Sequence, residues 1–75
     1  MVYNYFMPHF FIKTENVKNN IIEVEDKELL NHLVNARRVK IGEKVLFIDE
    51  NKIQYVTKIC DIERKVLKAE IVDKY

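Results

Sequence analysis

The sequence contains few of the residues that support redox or metal chemistry. It has one cysteine, Cys60, in 75 residues, so it forms no internal disulfide and offers no cysteine pair for zinc, which suits a reducing compartment. One glycine and one proline leave no stretch that resembles a linker. No apolar run approaches the roughly 20 residues that cross a bilayer, and the start lacks the pattern of a signal peptide. We therefore expect a cytoplasmic protein with no membrane contact and no bound metal.

The charge and size favour one small binding domain. Lysine and arginine total 13 and aspartate and glutamate 12, for a net charge of +1, which excludes a protein that coats nucleic acid by charge alone. A hydrophobic content of 48% and a charged content of 33% are typical of a soluble globular domain. A chain of 75 residues is short for an enzyme that binds both a cofactor and a macromolecule. We expect a binding module or a fragment of an enzyme.

The hydrophobic pattern predicts five strands and one helix. Runs rich in β-branched and aromatic residues place the strands at residues 10–12, 21–24, 44–49, 53–62 and 65–72. Leu29, Leu33 and Arg37 recur at helical spacing and predict a helix over residues 26–37, with Leu33 at the centre of the core. Closing a short sheet on itself removes its exposed edges. We predict a mainly β fold, a small, partly open β-barrel with the order β-β-α-β-β-β.

Domain boundaries and single residues give further expectations. Residues 1–6 fit no pattern and are interpreted as an extension with an uncertain boundary, so the folded domain covers residues 7–75. Phe10 and Phe11 should point to opposite faces of their strand, so one of them could stack on a base, but we favour a role for both in the core or in a contact with another domain. We expect His32 to be partly buried and hydrogen-bonded, and Cys60 to be a small buried apolar residue.

One segment stands out by charge. Residues 32–44 hold four cations, Arg37, Arg38, Lys40 and Lys44, against one acid, Glu43. Guanidinium and ammonium groups suit phosphate oxygens, so this cluster is a candidate RNA-binding site. Cations in the last turn of a helix also complement its dipole, and this alternative stays open.

Two segments carry a family resemblance. Residues 32–43 read HLVNARRVKIGE and residues 7–12 read MPHFFI; they resemble the patterns HLxxVLRxxxGD and MxRFFV of the ribosomal RNA small subunit methyltransferase E family. Arg38 matches the arginine of the first pattern, whereas His9 stands where the second has arginine. The resemblance extends over residues 7–72.

The resemblance implies a PUA-like N-terminal domain that helps bind 16S rRNA in the small ribosomal subunit. The candidate RNA-binding residues are then Arg38, which matches the family's arginine, His9, which stands at the position of another, and Arg37, Lys40 and Lys44 of the charge cluster. In the full-length family a SPOUT domain with a trefoil knot binds S-adenosylmethionine, dimerises and methylates N3 of a uridine. None of that catalytic domain is in this sequence. We therefore expect a chain that lacks the cofactor, is inactive alone and is monomeric, within a longer homodimeric enzyme.

Two alternatives differ in function. The chain could be a free-standing RNA-binding barrel, or a structural or protein-interaction domain whose cations only complement the helix dipole. A longer reading frame would separate the first alternative from a methyltransferase domain, and RNA titration at two salt concentrations would separate the second.

Overall fold

The computed structural model describes residues 7–75, so the interpretation of residues 1–6 as an extension lies outside the described part. Six strands are present: β1 His9–Phe11, β2 Val17–Lys18, β3 Ile21–Val24, β4 Lys44–Ile48, β5 Gln54–Ile62 and β6 Leu67–Lys74. They form one sheet in the order β1-β4-β5-β6-β3-β2. A 3-10 turn covers Thr14–Asn16, and the helix α1 Lys27–Asn31 continues as a π-helical segment, His32–Ala36. The predicted mainly β, partly open barrel with one helix is confirmed: the sheet curls into a half-barrel.

The structure has one strand more than the five that the sequence predicted. The two-residue strand β2 pairs antiparallel with β3, with Val17 opposite Ile22, and adds a sixth strand. Asn19 adopts φ +60 in the turn between them, a conformation that asparagine tolerates better than most residues. A strand of two residues is too short to show an alternating pattern, which explains why the sequence prediction lacked it.

The strands β4, β5 and β6 form an antiparallel meander, and the N-terminal strands add to its two edges. On one edge β1 pairs parallel with β4, with Phe10 opposite Phe47. On the other edge β3 pairs antiparallel with β6, with Ile22 opposite Ala69. The hairpin connections that we predicted for the last three strands are confirmed.

The helix begins and ends close to the predicted residues. The Asp26 carboxylate accepts a hydrogen bond from the backbone N–H of Leu29 at 2.8 Å and caps the N-terminus. At the other end, the N–H of Arg37 donates to the carbonyl of His32 at 2.8 Å, and the N–H of Val39 donates to that of Leu33 at 3.0 Å. The final turn is therefore wider than an α-helical turn.

The core lies between the helix and the concave face of the sheet. Leu33 is completely buried, which confirms its predicted place in the core. The buried cluster is made of aliphatic and aromatic side chains from the helix, from the loop that follows it and from five of the strands or their ends: Phe10, Ile12, Ile22, Val24, Leu30, Leu33, Val39, Val45, Phe47, Tyr55, Ile59, Leu67 and Ala69. From Tyr55 to Ile59 of β5 every second residue is buried, as expected for a sheet with one covered face, and the alternation ends at the register shift between Ile59 and Asp61.

Four side chains test the expectations drawn from the sequence for single residues. His32 is exposed and meets the ring of Phe10 edge to face at 5.6 Å between centroids, so the expected partly buried, hydrogen-bonded histidine is wrong. Cys60 is exposed because its neighbour Ile59 takes the inward position in β5, so the expectation of a buried cysteine is also wrong. Phe10 and Phe11 do point to opposite faces, but Phe11 is 75% exposed and lies outside the core.

No helix within residues 7–75 is long and apolar enough to span a membrane.

Candidate nucleic-acid interface

The end of the helix presents two arginines to solvent. Arg37 occupies the C-terminal cap, and Arg38 follows with φ +58; both side chains are exposed. Glycine or asparagine usually fills a left-handed position after a helix, and another residue there costs about 1–2 kcal/mol. Arg38 therefore holds its guanidinium at the helix end at an energetic cost to the backbone. Strained positions of this kind cluster at functional sites.

Residues 37–43, here called the basic loop, are fixed to the sheet by backbone hydrogen bonds. The N–H of Gly42 donates to the carbonyl of Ile59 at 2.7 Å, and the N–H of Ile59 donates to the carbonyl of Glu43 at 2.9 Å. Gly42 has φ +92, and a Cβ at this position would meet no atom within 4 Å, so its backbone conformation, and not crowding, requires glycine. The loop is thus anchored against the middle of β5.

Glu43 is the one acid of the predicted cluster, and its carboxylate is engaged within the loop. Its Oε1 accepts a hydrogen bond from the N–H of Lys40 at 3.1 Å, while its own N–H donates to the carbonyl of Lys40 at 3.0 Å. The loop is closed by this reciprocal pair. Glu43 therefore braces the backbone rather than pairing with a nearby cationic side chain.

The sheet adds a cation that sequence reasoning missed. Lys44 begins β4 directly after the basic loop, and its partner across the strands is Lys58 of β5; both are exposed. Like charges directly opposite one another are unfavourable in an antiparallel pair. The inward position of Ile59 could have indicated that Lys58 points outward, but its place beside Lys44 depends on the strand register. The name basic surface is used below for Arg37, Arg38, Lys40, Lys44 and Lys58.

None of the five cations of the basic surface forms a salt bridge within residues 7–75, although Glu70 of β6 lies opposite Lys58 in the sheet. The salt bridge found within residues 7–75 joins Lys18 and Glu23 at 3.2 Å and involves none of the five cations. Their charges are therefore available to an anionic ligand, and the arrangement suits a chain of phosphates.

His9 occupies a different environment from the basic loop. It lies on the edge strand β1 opposite Leu46, two residues along from Lys44 in the neighbouring strand. It also lines a groove between β1 and the helix, together with Phe11, Asp26 and Glu28. The groove carries acidic side chains, so phosphate binding is less favoured there than at the basic loop.

A buried carboxylate organises the opposite end of β4. Asp49 accepts hydrogen bonds from the N–H groups of Asn51 at 2.9 Å and Ile53 at 3.0 Å, from the Tyr55 hydroxyl at 2.9 Å and from the Thr14 hydroxyl at 3.3 Å. Burial alone would raise the pKa of Asp49, but these hydrogen bonds outweigh it and hold the pKa below its ordinary value of 3.8. Burial, followed by the bond to Asp49, raises the pKa of the Tyr55 phenol.

This carboxylate is structural, because its acceptor positions are used by the turn between β4 and β5 and by Thr14. Among the residues whose structure is described, no three His, Cys, Asp or Glu side chains lie close enough together to hold a metal ion.

Solved structures with this fold cover almost the whole chain. A predicted RNA methyltransferase from Thermotoga maritima matches with a TM-score of 0.73 at 25% identity, over 91% of this chain and 30% of its own. The ribosomal RNA small subunit methyltransferase E from Neisseria gonorrhoeae, bound to S-adenosyl methionine, matches with a TM-score of 0.74 at 23% identity. The match covers 92% of this chain and 28% of that protein. A putative methyltransferase from Legionella pneumophila, in complex with the same cofactor, matches with a TM-score of 0.78 at 14% identity. The match covers 92% of this chain and 28% of that protein.

The chain thus spans less than a third of the length of these three proteins. The two matches below 25% identity show the fold alone. A search of curated protein sequences gave no match.

A family model gives the sequence evidence. The model of the RNA methyltransferase PUA domain matches residues 24–72, more than half of the chain. The matched range includes the helix, the basic loop and most of the β4–β6 meander, and it leaves His9 outside. The match confirms the resemblance seen in residues 32–43 and the PUA-like fold that it implied. The chain belongs to the RNA methyltransferase PUA domain family.

Proposed function

We propose that this chain is the RNA-binding domain of a ribosomal RNA methyltransferase, and that it positions 16S rRNA of the small ribosomal subunit for a separate catalytic domain. The observation that carries the proposal is the basic surface, where five cations gather in a chain with a net charge of only +1. The low overall charge makes the local excess the feature that would direct RNA to one place.

The five cations have different roles in this proposal. The guanidinium groups of Arg37 and Arg38 suit two-pronged hydrogen bonds to phosphate oxygens at the helix end. Lys40, Lys44 and Lys58 act as point charges that follow the RNA backbone from the loop onto the sheet. His9, on the edge strand, would contact RNA only at the margin of this surface.

The chemistry belongs to the rest of the enzyme in this proposal. S-adenosylmethionine would bind in the catalytic SPOUT domain, which would also form the homodimer and methylate N3 of a uridine. Residues 7–75 form the RNA-positioning domain, which alone would be monomeric and inactive. Support comes from the two matched structures that contain S-adenosyl methionine. Each of these two proteins is more than three times as long as this chain. The proposed location is the cytoplasm, where ribosomal subunits are assembled.

The test is the salt dependence of RNA binding by an arginine variant. Arg38→Ala keeps a residue with a Cβ in the left-handed position, so the backbone cost and the stability should stay similar. If Arg38 neutralises a phosphate, affinity for a small-subunit rRNA fragment should fall almost equally for different sequences. The slope of log K against log salt should then decrease in magnitude by about one unit between about 50 and 200 mM salt.

The matched control is Lys65→Ala, which removes an exposed cation from the turn between β5 and β6. Equal losses for the two variants would refute a localised site and leave only diffuse attraction. Unchanged affinity for Arg38→Ala, with stability lowered by less than about 1 kcal/mol, would favour a residue that only complements the helix dipole.

A further inference from the structure

The basic loop contains an exposed apolar side chain. Ile41 is 63% exposed and lies between Lys40 and Gly42. The other large apolar side chains that are exposed in residues 7–75, Phe11, Val72 and Tyr75, all lie outside this loop. A single exposed aliphatic residue needs no explanation by itself. Its position among the cations would let it make an apolar contact with a ligand that the charges bind.

The backbone around Ile41 is held on both sides. Gly42 bonds to Ile59 of β5, and Lys40 bonds to Glu43 through both its N–H and its carbonyl. The isoleucine therefore projects from an ordered turn rather than from a loose chain end. A side chain on an ordered turn loses less conformational entropy when it meets a ligand, so its contact contributes more to affinity.

Two cations near Ile41, Arg38 along the chain and Lys58 across the loop contact with β5, restrict the kind of ligand that it can meet. Arg38 comes three residues before Ile41, and Lys58 precedes the residue that accepts the hydrogen bond of Gly42. A ligand that fits must present negative charge beside a flat or apolar group. A nucleotide in RNA meets this requirement, because phosphates flank each ribose and base.

The pairing state of the RNA follows from what an aliphatic side chain can reach. In an A-form duplex the faces of the bases are stacked and the major groove is too deep and narrow for side chains. In a loop or a single strand the bases splay out and become available for packing. Ile41 can therefore cover a base only where the RNA is unpaired.

We propose that the basic loop binds RNA at an unpaired nucleotide, with Ile41 packed against the base and with Arg38 and Lys58 on the flanking phosphates. This inference rests on the proposed function, because it requires that the basic surface binds RNA. It adds a preference for unpaired RNA and a residue that contacts the base. An acidic protein surface would also match the cations, and that partner would be indicated if the wild-type chain bound neither the single-stranded nor the duplex RNA.

The experiment compares one RNA of about 12 nucleotides as a single strand and as a duplex with its complement, by fluorescence anisotropy with the 75-residue chain. Ile41→Ser should weaken single-strand binding about five- to tenfold and leave duplex binding and the salt slope unchanged. Val72→Ser is the matched control, because Val72 is 55% exposed on β6 and far in sequence from the basic loop. It should change neither affinity.

The outcomes separate the two proposals. If Arg38→Ala lowers RNA affinity but Ile41→Ser does not, or if Ile41→Ser lowers single-strand and duplex binding equally, the unpaired-nucleotide site is wrong and RNA binding stands. Equal effects of Ile41→Ser and Val72→Ser also overturn the site. If the wild-type chain binds neither RNA, both proposals fail. A thermal melt of each variant shows that the compared proteins are folded.

Discussion

The buried carboxylate of Asp49 should determine much of the acid stability of this domain. Asp49 is 4% exposed and fixes the turn after β4 through the N–H groups of Asn51 and Ile53. It also accepts a hydrogen bond from the hydroxyl of Tyr55, a residue that is itself buried. Asp49→Ala would leave the phenol and two turn N–H groups without their acceptor.

The expected cost can be worked out from these contacts. A hydrogen bond to a charged group contributes about 1.5–3 kcal/mol, and an unsatisfied buried polar group costs about 1–3 kcal/mol. The turn N–H groups lie near water and regain part of their loss, so we expect Asp49→Ala to lower the free energy of unfolding by about 3–5 kcal/mol. Tyr55→Phe removes one bond of the set and should cost about 1–3 kcal/mol. Small domains have only about 5–15 kcal/mol in total, so the first variant should be close to unfolding.

The pH dependence follows from the direction of the pKa shift. The pKa of Asp49 in the folded state lies below its ordinary value of 3.8. Its stabilising contribution is therefore complete above that ordinary value and is lost as the pH falls through the lowered pKa of the folded state. Asp49→Asn cannot titrate and should lose this part of the pH dependence.

Urea unfolding, followed by circular dichroism between pH 7 and about pH 2, measures both effects. The control is Glu63→Gln, which removes an exposed carboxylate from the turn between β5 and β6 and should keep the wild-type profile. A decline in Asp49→Asn as steep as in the wild type would show that other carboxylates cause the acid sensitivity. It would refute the role assigned to Asp49.

Three further predictions concern the helix, its end and the cofactor. Leu33→Ala should lower the free energy of unfolding by about 2–5 kcal/mol, because Leu33 is fully buried between the helix and the sheet; an unchanged melting temperature would contradict this packing. Arg38→Gly should raise the free energy of unfolding by about 0.5–1 kcal/mol while weakening RNA binding, because glycine removes the left-handed backbone cost and part of that gain is offset by unfolded-chain entropy; a destabilised variant in urea unfolding would show that the arginine side chain supports the fold. Calorimetry should detect no saturable binding of S-adenosylmethionine to this chain at micromolar concentration, since its one glycine leaves no glycine-rich loop for a cofactor, and a measurable binding isotherm would place a cofactor site in this domain.

Local sequence patterns predicted the elements well, because each depends on neighbouring residues. The predicted bounds of the helix, Asp26 and Arg37, are its two cap residues in the structure. The parallel pairing of β1 with β4 was not predicted, since the choice between distant strand partners leaves no periodic signal. The position of His32 was not predicted either, because its contact with Phe10 joins two segments that are distant in the chain.

Four of the five residues of the basic surface were found from the sequence. Arg37, Arg38, Lys40 and Lys44 are close together in the chain, so a count of charges found them. Lys58 joins them only through the register of β4 and β5. The left-handed backbone of Arg38 was hidden as well, because arginine gives no sign of a conformation that glycine or asparagine would have signalled.

The arrangement of strands has a consequence for folding during synthesis. Two of the first three strands leave the ribosome before a distant partner, since β1 pairs with β4 and β3 with β6, whereas β2 and β3 are neighbours along the chain. The meander β4–β5–β6 is built from local hairpins, which close faster than contacts between distant segments. Phe10 of β1 should therefore stay uncovered until β4 has emerged, and Ile22 of β3 should lack the strand opposite it until β6 has emerged, so that both apolar side chains are transiently exposed to solvent. A chain arrested before residue 67 would lack the strand on which β3 folds and would be a target for chaperones rather than a partly working domain.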